Sequence, residues 1–348
     1  MTTSPKRPCV VCADHFHMTN DATSKIKSKA RMIWSTAKNE DDLLKELHHL
    51  QPSVLISEYL AINGRMMDAS PNLKGIVASG AGFDHIDVQA ASERGIYVAN
   101  TRGSNAESVA EHVFALILLL SRKNMVLDSF VRAGKWIARE ESLLPAELMA
   151  RDIRGKVIGL IGLGAIGRVV ARIAQCFGMR VLAYDPNVSS RAALRIGAEP
   201  ATLRRLLAES NFVSLHVPLN KQTKRMIGTN EMQLMKQSAY IINTSRGAVV
   251  DEQALIKALE SKRISGAALD VFEKEPIDKN NRLLSLSNVI VSPHMAGGSK
   301  EALDATALMV SEETIRILEN KPPRNLVNKA QLARKAAQKT LRSESAPT

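Results

Sequence analysis

Residues 157–185 read VIGLIGLGAIGRVVARIAQCFGMRVLAYD. The stretch opens on an apolar run, Val157–Ile161, of the length of a buried strand. Gly162, Gly164 and Gly167 follow in G-x-G-x-x-G spacing, and a helical apolar pattern then runs from about Ile166 to Phe177. A second apolar run, 181–184, ends on Asp185. Gly162 permits the tight turn out of the strand, Gly164 lets the backbone approach a pyrophosphate, and Gly167 lets the helix pack close to the sheet. The helix N-terminus favours the negative charge of the phosphates. Asp185 lies 185 − 167 = 18 residues beyond the last glycine. A carboxylate there accepts hydrogen bonds from the ribose hydroxyls and repels a 2′-phosphate, so NAD is expected over NADP. The glycines alone would be a weak signal; strand, glycines, helix, strand and acid in order are a specific one.

At 348 residues, 45% of them hydrophobic, the chain is long enough for two domains with real cores. The longest uncharged apolar run, 113–120, is far short of the roughly 20 residues needed to cross a bilayer. The N-terminal stretch carries two basic residues but no apolar core of a signal peptide. Three cysteines, an odd and low number, fit a reducing cytoplasm. Cys9 and Cys12 form a C-x-x-C, but in an expected strand residues three apart face opposite sides, so the pair is read as structural and no metal-ligating set is expected.

The net charge of +12 raises the question of nucleic acid. From Lys321 onward there are seven Lys/Arg and one Glu, 7 − 1 = +6, so half of the excess lies in a terminal stretch without aromatics. A basic flexible tail over 331–348 is expected. The remaining charge is scattered and suits drawing in small anions rather than binding nucleic acid.

Working outward from the glycine stretch, both flanks alternate short apolar strands with helical segments, which predicts parallel sheets. Before it, strands are expected at 8–13, 54–57, 73–78 and 95–99, with a helix over 40–50 carrying Leu43, Leu44, Leu47 and Leu50 on one stripe. Asn105 is expected to cap a helix over 106–121, apolar on most faces, lying between domains, with His112 as a satisfied core histidine. Residues 122–154, with Trp136 and Pro145, leave the compact pattern and read as an arm reaching a second subunit. After Asp185, strands are expected at 212–217, 239–243, 264–269 and 289–292, with helices at 229–235, 251–261 and 299–318. The architecture expected is α/β: two doubly wound, Rossmann-like parallel-sheet domains, with an NAD domain (105–293) inserted in a flavodoxin-like substrate domain (1–104 and 294–330), the substrate held in the cleft between them.

In open α/β sheets ligands bind beyond the carboxyl ends of the strands. Val217 ends one strand of the inserted domain; Thr244-Ser245-Arg246-Gly247 follows another, Asp270 and then Glu275 a third, and Pro293-His294 a fourth. A guanidinium grips a carboxylate bidentately. Histidine titrates near neutrality and can give a proton to a carbonyl oxygen as hydride arrives, and a neighbouring glutamate favours its protonated form. The three suit hydride transfer to a 2-oxo acid.

The chain also resembles the D-isomer-specific 2-hydroxyacid dehydrogenase family, nearest the phosphoglycerate dehydrogenase and hydroxypyruvate/glyoxylate reductase types. The resemblance spans about residues 50–325 and rests on SGAGFDHID (79–87), NAESVAEH (105–112), GLGAIG (162–167), NTSRGAVVDEQAL (243–255), ALDVFEKEP (268–276) and SPHMAGGS (292–299). It implies Arg246, Glu275 and His294 as catalytic residues, with Arg246 on the substrate and Glu275 the partner of the proton donor His294. It implies the backbone amides of Ala165 and Ile166 on the pyrophosphate, Asp270 on the nicotinamide carboxamide, and Thr244, Ser245, Arg246 and the loop His294–Gly297 around the nicotinamide. The amides near Gly80, Ala81 and Gly82 would cradle the substrate carboxylate, where small residues also allow a backbone nest. A homodimer through the region around 105–150 is implied. Arg102 stands where relatives commonly have proline, and Ser57-Glu58-Tyr59 lacks the basic or amide residue often used there for substrate groups. The chain ends soon after the returning helix, without room for the regulatory domains of long phosphoglycerate dehydrogenases. Formate oxidation is disfavoured, because formate enzymes of this kind carry an amide in place of Glu275. An NADH-sensing corepressor or scaffold of the same fold is the alternative function.

Overall fold

A computed structural model of the chain describes residues 7–136 and 145–335. It divides into two compact units. One contains the residues up to Asn105 together with those from Lys300 on; the other, Ala106–Ser299, is inserted between these segments. The boundary falls after Ser299 rather than at the expected 293/294, because the His294–Gly298 loop is bonded to Asp270 of the inserted unit, as described below.

The outer unit has five parallel strands: β1 (Cys9–Cys12), β2 (Arg31–Trp34), β3 (Val54–Ser57), β4 (Gly75–Ala78) and β5 (Tyr97–Ala99), in the order β2-β1-β3-β4-β5. This is the flavodoxin-like order. Each central strand is buried on both faces, so it reads as a continuous apolar run rather than an alternating one. Helix Glu40–Leu50 presents its leucine stripe to one apolar layer, with Leu43 and Leu47 fully buried. Cys9 and Cys12 belong to the apolar layers on opposite faces of the sheet and are free. Burial pushes the Cys12 thiol well above its ordinary range, which suits an inert core residue.

The return of the chain completes this unit. Helix Lys300–Leu318 buries Val310 and Ile317 in the layer that also holds Val10, Val54 and Val77. Buried Glu313 accepts from the backbone N–H of Arg324 and Asn325 at 2.8 and 3.1 Å, which turns the chain back toward β5. Val327 N then donates to Val98 O, and the buried Asn328 side chain accepts from Val98 N and donates to Ile96 O. Residues 336–348, most of the expected basic tail, lie outside the described residues.

The inserted unit has seven parallel strands: β6 (Val157–Ile161), β7 (Arg180–Tyr184), β8 (Glu199–Pro200), β9 (Phe212–Leu215), β10 (Tyr240–Asn243), β11 (Gly266–Leu269) and β12 (Val289–Val291). Their order is β12-β11-β10-β9-β6-β7-β8. The direction of winding reverses between β6 and β9, the switch point at which doubly wound sheets bind ligands. Helix Ala106–Arg122 was expected between domains; it packs against the sheet of the inserted unit, sharing an apolar layer with Ile158, Leu160 and Ala268. Asn105 does not act as its expected cap, since the side-chain Oδ1 is buried with no hydrogen-bond partner. The next helix, Asn124–Arg132, buries none of its residues. Part of the expected arm, residues 137–144, lies outside the described residues. No helix among those described is long and apolar enough to cross a membrane.

Candidate active site

The glycine turn sits at the switch point. Gly162, at φ +97°, adopts the backbone region that L side chains avoid, and a Cβ on it would lie 2.4 Å from the His216 carbonyl oxygen. A Cβ on Gly167 would lie 2.2 Å from the Gly162 carbonyl oxygen, so only glycine lets helix Ala165–Cys176 start this close to β6. Gly164 occupies the N-cap position without a side-chain cap, so the first amides of the helix are not covered from within it. Val217, beyond β9, packs over the same turn. Asp185, at the end of β7, accepts from Leu163 N at 2.8 Å through one oxygen and from Asn187 N at 2.8 Å through the other. Each oxygen keeps an acceptor position for a ribose hydroxyl. A tight glycine turn, an uncapped helix start and an acid at the next strand end suit a dinucleotide.

Strands β9 to β12 end level, with Leu215, Asn243, Leu269 and Val291 in one register. The segments that follow carry the expected catalytic residues. Beyond β10, buried Asn243 accepts from Ser245 N and Ser245 Oγ and donates to Arg246 O, which fixes the path of residues 244–246. Thr244 is buried there. The Arg246 guanidinium donates to Ser245 O at 2.8 Å. Beyond β11, Asp270 is fully buried and Glu275 turns back to accept from Phe272 N at 2.9 Å.

The other oxygen of Glu275 lies 2.6 Å from His294 Nδ1. Burial pushes the Glu275 carboxyl up, but the hydrogen bonds from His294 and Phe272 N and the positive charges of His294 and Arg246 outweigh it, and the carboxyl is held below its ordinary range. The other two residues that sequence reasoning selected, His294 and Arg246, therefore both act on the Glu275 carboxyl. His294 has φ +55°, a left-handed conformation, and its N–H donates to Asp270 O at 2.8 Å. The two following amides, Met295 N and Ala296 N, donate to the Asp270 carboxylate, and Gly298 N closes the turn on Met295 O. Asp270 thus holds the histidine loop, a task the sequence did not signal. Gly297 lies within that turn, half-buried.

In the outer unit, Gly80 O accepts from Thr101 N and Ala81 O from Asn100 Nδ2. Trans peptides point N–H opposite to C=O. The amides of Ala81 and Gly82 therefore face away from Asn100 and Thr101, which is what a carboxylate cradle requires.

The fold and these groups define an α/β oxidoreductase with a dinucleotide-binding unit. A family model described as the D-isomer specific 2-hydroxyacid dehydrogenase, NAD binding domain, matches residues 114–296. A glyoxylate reductase of Thermococcus litoralis is 42% identical over 268 residues, 77% of this chain and 81% of that protein. A D-3-phosphoglycerate dehydrogenase of Archaeoglobus fulgidus is 37% identical over 293 residues, 84% of this chain but 54% of the other. Among solved structures, an acyclic imino acid reductase in complex with NADPH and D-Arg superposes with a TM-score of 0.82 at 29% identity, covering 92% of this chain and 99% of that one. The chain belongs to the D-isomer specific 2-hydroxyacid dehydrogenase family.

Proposed function

We propose that this protein reduces a short, unphosphorylated 2-oxo acid to its D-2-hydroxy acid with NADH. The observation that carries the reading is the 2.6 Å contact between Glu275 and His294 Nδ1 beside Arg246. Arg246 binds the substrate carboxylate and polarises the carbonyl. Bound NADH supplies the hydride. His294 gives its Nε2 proton to the carbonyl oxygen, and Glu275 favours the imidazolium before transfer and fixes which nitrogen faces the substrate.

Two carboxylates support an unphosphorylated substrate. Ser57, the last residue of β3, pairs with Ala78, and Ser79 N donates to Ser57 O, so Glu58 follows β3 beside the loop 79–82. Asp14 accepts from the amides of Glu58, Tyr59 and Leu60. Burial, and then Asp14, push the Glu58 carboxyl up to about 7. Such an edge repels a phosphate, and the similarity to a glyoxylate reductase points the same way.

Asp185 supports NADH over NADPH, although the imino acid reductase of the same fold was solved with NADPH. Helix Asn124–Arg132, with Met125, Val126 and Val131 about half exposed, supports a homodimer through this segment. Three free thiols, one of them the exposed Cys176, suit a reducing, cytoplasmic compartment. The test is NADH and NADPH oxidation with glyoxylate, hydroxypyruvate, pyruvate and phosphohydroxypyruvate. Turnover of an unphosphorylated acid with NADH is expected. Tight NADH binding with no turnover on any of them would replace this reading with an NADH-sensing corepressor or scaffold.

A further inference from the structure

The carboxylate of Asp270 is buried and fully engaged. Ser292 Oγ donates to Oδ1 at 2.6 Å, Met295 N donates to the same oxygen at 2.9 Å, and Ala296 N donates to Oδ2 at 2.8 Å. Ser292 follows β12 and is anchored through its own N–H to Leu269 O. A serine hydroxyl has one proton, and here it points to Asp270. The 3.1 Å contact between Ser292 Oγ and His112 Nε2 must then run with the ring as donor. His112 Nε2 is itself 3.8 Å from Asp270 Oδ1, so the serine hydroxyl is the bridge. A directed chain results: His112 donates to Ser292 and Ser292 to Asp270, which also accepts from the backbone N–H groups of residues 294–296. His112 comes from helix Ala106–Arg122, a rigid element packed on the sheet.

We propose that His112 is a positioning residue for His294, acting through Ser292 and Asp270; this rests on the reading of His294 as proton donor. The left-handed backbone at His294 persists only while its surroundings hold it. Its restraints are the Asp270 carbonyl on its own N–H and the Asp270 carboxylate on the next two amides. Removing the ring donor lets the Ser292 hydroxyl turn away. Asp270 then loses the shortest hydrogen bond to its carboxylate, which is freer to turn and holds the amides of Met295 and Ala296 less firmly. The imidazole of His294 moves with that backbone and leaves its line to Glu275.

The test uses the full chain with His112→Ala, His112→Gln and Ser292→Ala. It reads kcat and KM for glyoxylate, Kd for NADH by fluorescence, and hydrogen–deuterium exchange of the Met295 and Ala296 amides. His112→Ala is expected to lower kcat by about tenfold or more, since small misplacements of a reacting group are costly, while KM and Kd stay within about twofold. The glutamine, whose amide can donate to Ser292, is expected to restore most of kcat. Exchange at the two amides should quicken in both alanine variants, and Ser292→Ala serves if His112→Ala does not fold. Unchanged exchange at Met295 and Ala296, or kcat within twofold of wild type in His112→Ala, overturns the proposal. If the wild-type protein reduces no 2-oxo acid, the proton-donor reading fails by itself, and the exchange measurement still decides whether His112 supports the loop.

Discussion

Glu275 Oε2 lies 2.6 Å from His294 Nδ1, and the remaining oxygen of Glu275 takes the Phe272 N–H. The carboxylate is therefore held by the chain on one side and holds the imidazole on the other. Replacing it with the isosteric amide, Glu275→Gln, keeps the shape and removes the charge. We expect kcat for reduction to fall by about 10-fold to 100-fold. The amide cannot serve as the charged acceptor that the carboxylate offers His294 Nδ1. His294→Asn should cost more, about 1000-fold, and leave little pH dependence of the proton-donating step. Steady-state rates from pH 5 to 9 check both.

Arg246 lies on a path fixed by Asn243 and lends its charge to the Glu275 carboxylate. Arg246→Ala should lower kcat/KM by about 100-fold or more, the loss of a bidentate charged contact. NADH affinity should change by less than about fivefold. An unaltered kcat/KM would remove Arg246 from the substrate.

Asp185 already takes two backbone amides. Asp185→Ser should lower the ratio of kcat/KM for NADH to that for NADPH by about tenfold or more, because the charge that repels a 2′-phosphate is gone. A ratio unaffected by the change would mean that selectivity lies elsewhere.

Gly247, beyond β10, presses on the segment beyond β11: a Cβ would lie 1.8 Å from the Phe272 carbonyl carbon. Gly247→Ala should destabilise the inserted unit by about 1–3 kcal/mol, the usual cost of overpacking. It should also disturb the Phe272 amide that holds Glu275, so that a lower melting temperature and a lower kcat appear together. Calorimetry and NADH oxidation on one preparation test the pair of effects.

Glu58 has its carboxyl raised to about 7 by burial and by Asp14. A carboxyl raised in the folded state binds more protons folded than unfolded, so its cost to stability is absent in acid, grows as pH rises from 4.5 to about 7, and is complete above that. Glu58→Gln should therefore raise Tm by about 2–4 °C at pH 8 and by clearly less at pH 5. It should also improve phosphohydroxypyruvate as a substrate relative to glyoxylate. A Tm gain of equal size at both pH values would show that the effect is not ionisation.

Both sheets and the edge that carries Arg246, Glu275 and His294 were legible in the sequence because buried parallel strands are apolar runs and the residues just past them carry the chemistry. Elements without that signal were not. Strand β2 opens on exposed Arg31 and lies at a sheet edge, where only half of each residue needs to be apolar. Strand β8 is two residues long, one of them proline. Asn105 looks like a helix cap by residue type, yet its oxygen is buried without a partner. His112 reads as one histidine in an apolar helix. Its significance depends on Ser292 and Asp270, which lie far along the chain and meet it only once the sheet has formed.

The closing of β5 by Val327 and Asn328 has a consequence for the order of events during synthesis. The inserted unit is encoded without interruption and leaves the ribosome whole. The five-stranded sheet made first still lacks helix Lys300–Leu318 and the Asn328 clamp. The first hundred residues therefore wait, with one apolar face uncovered, until almost the entire chain has been made. A chain released early, before residue 300, would carry a finished dinucleotide unit joined to an unfinished partner, a species for chaperones or proteases to deal with.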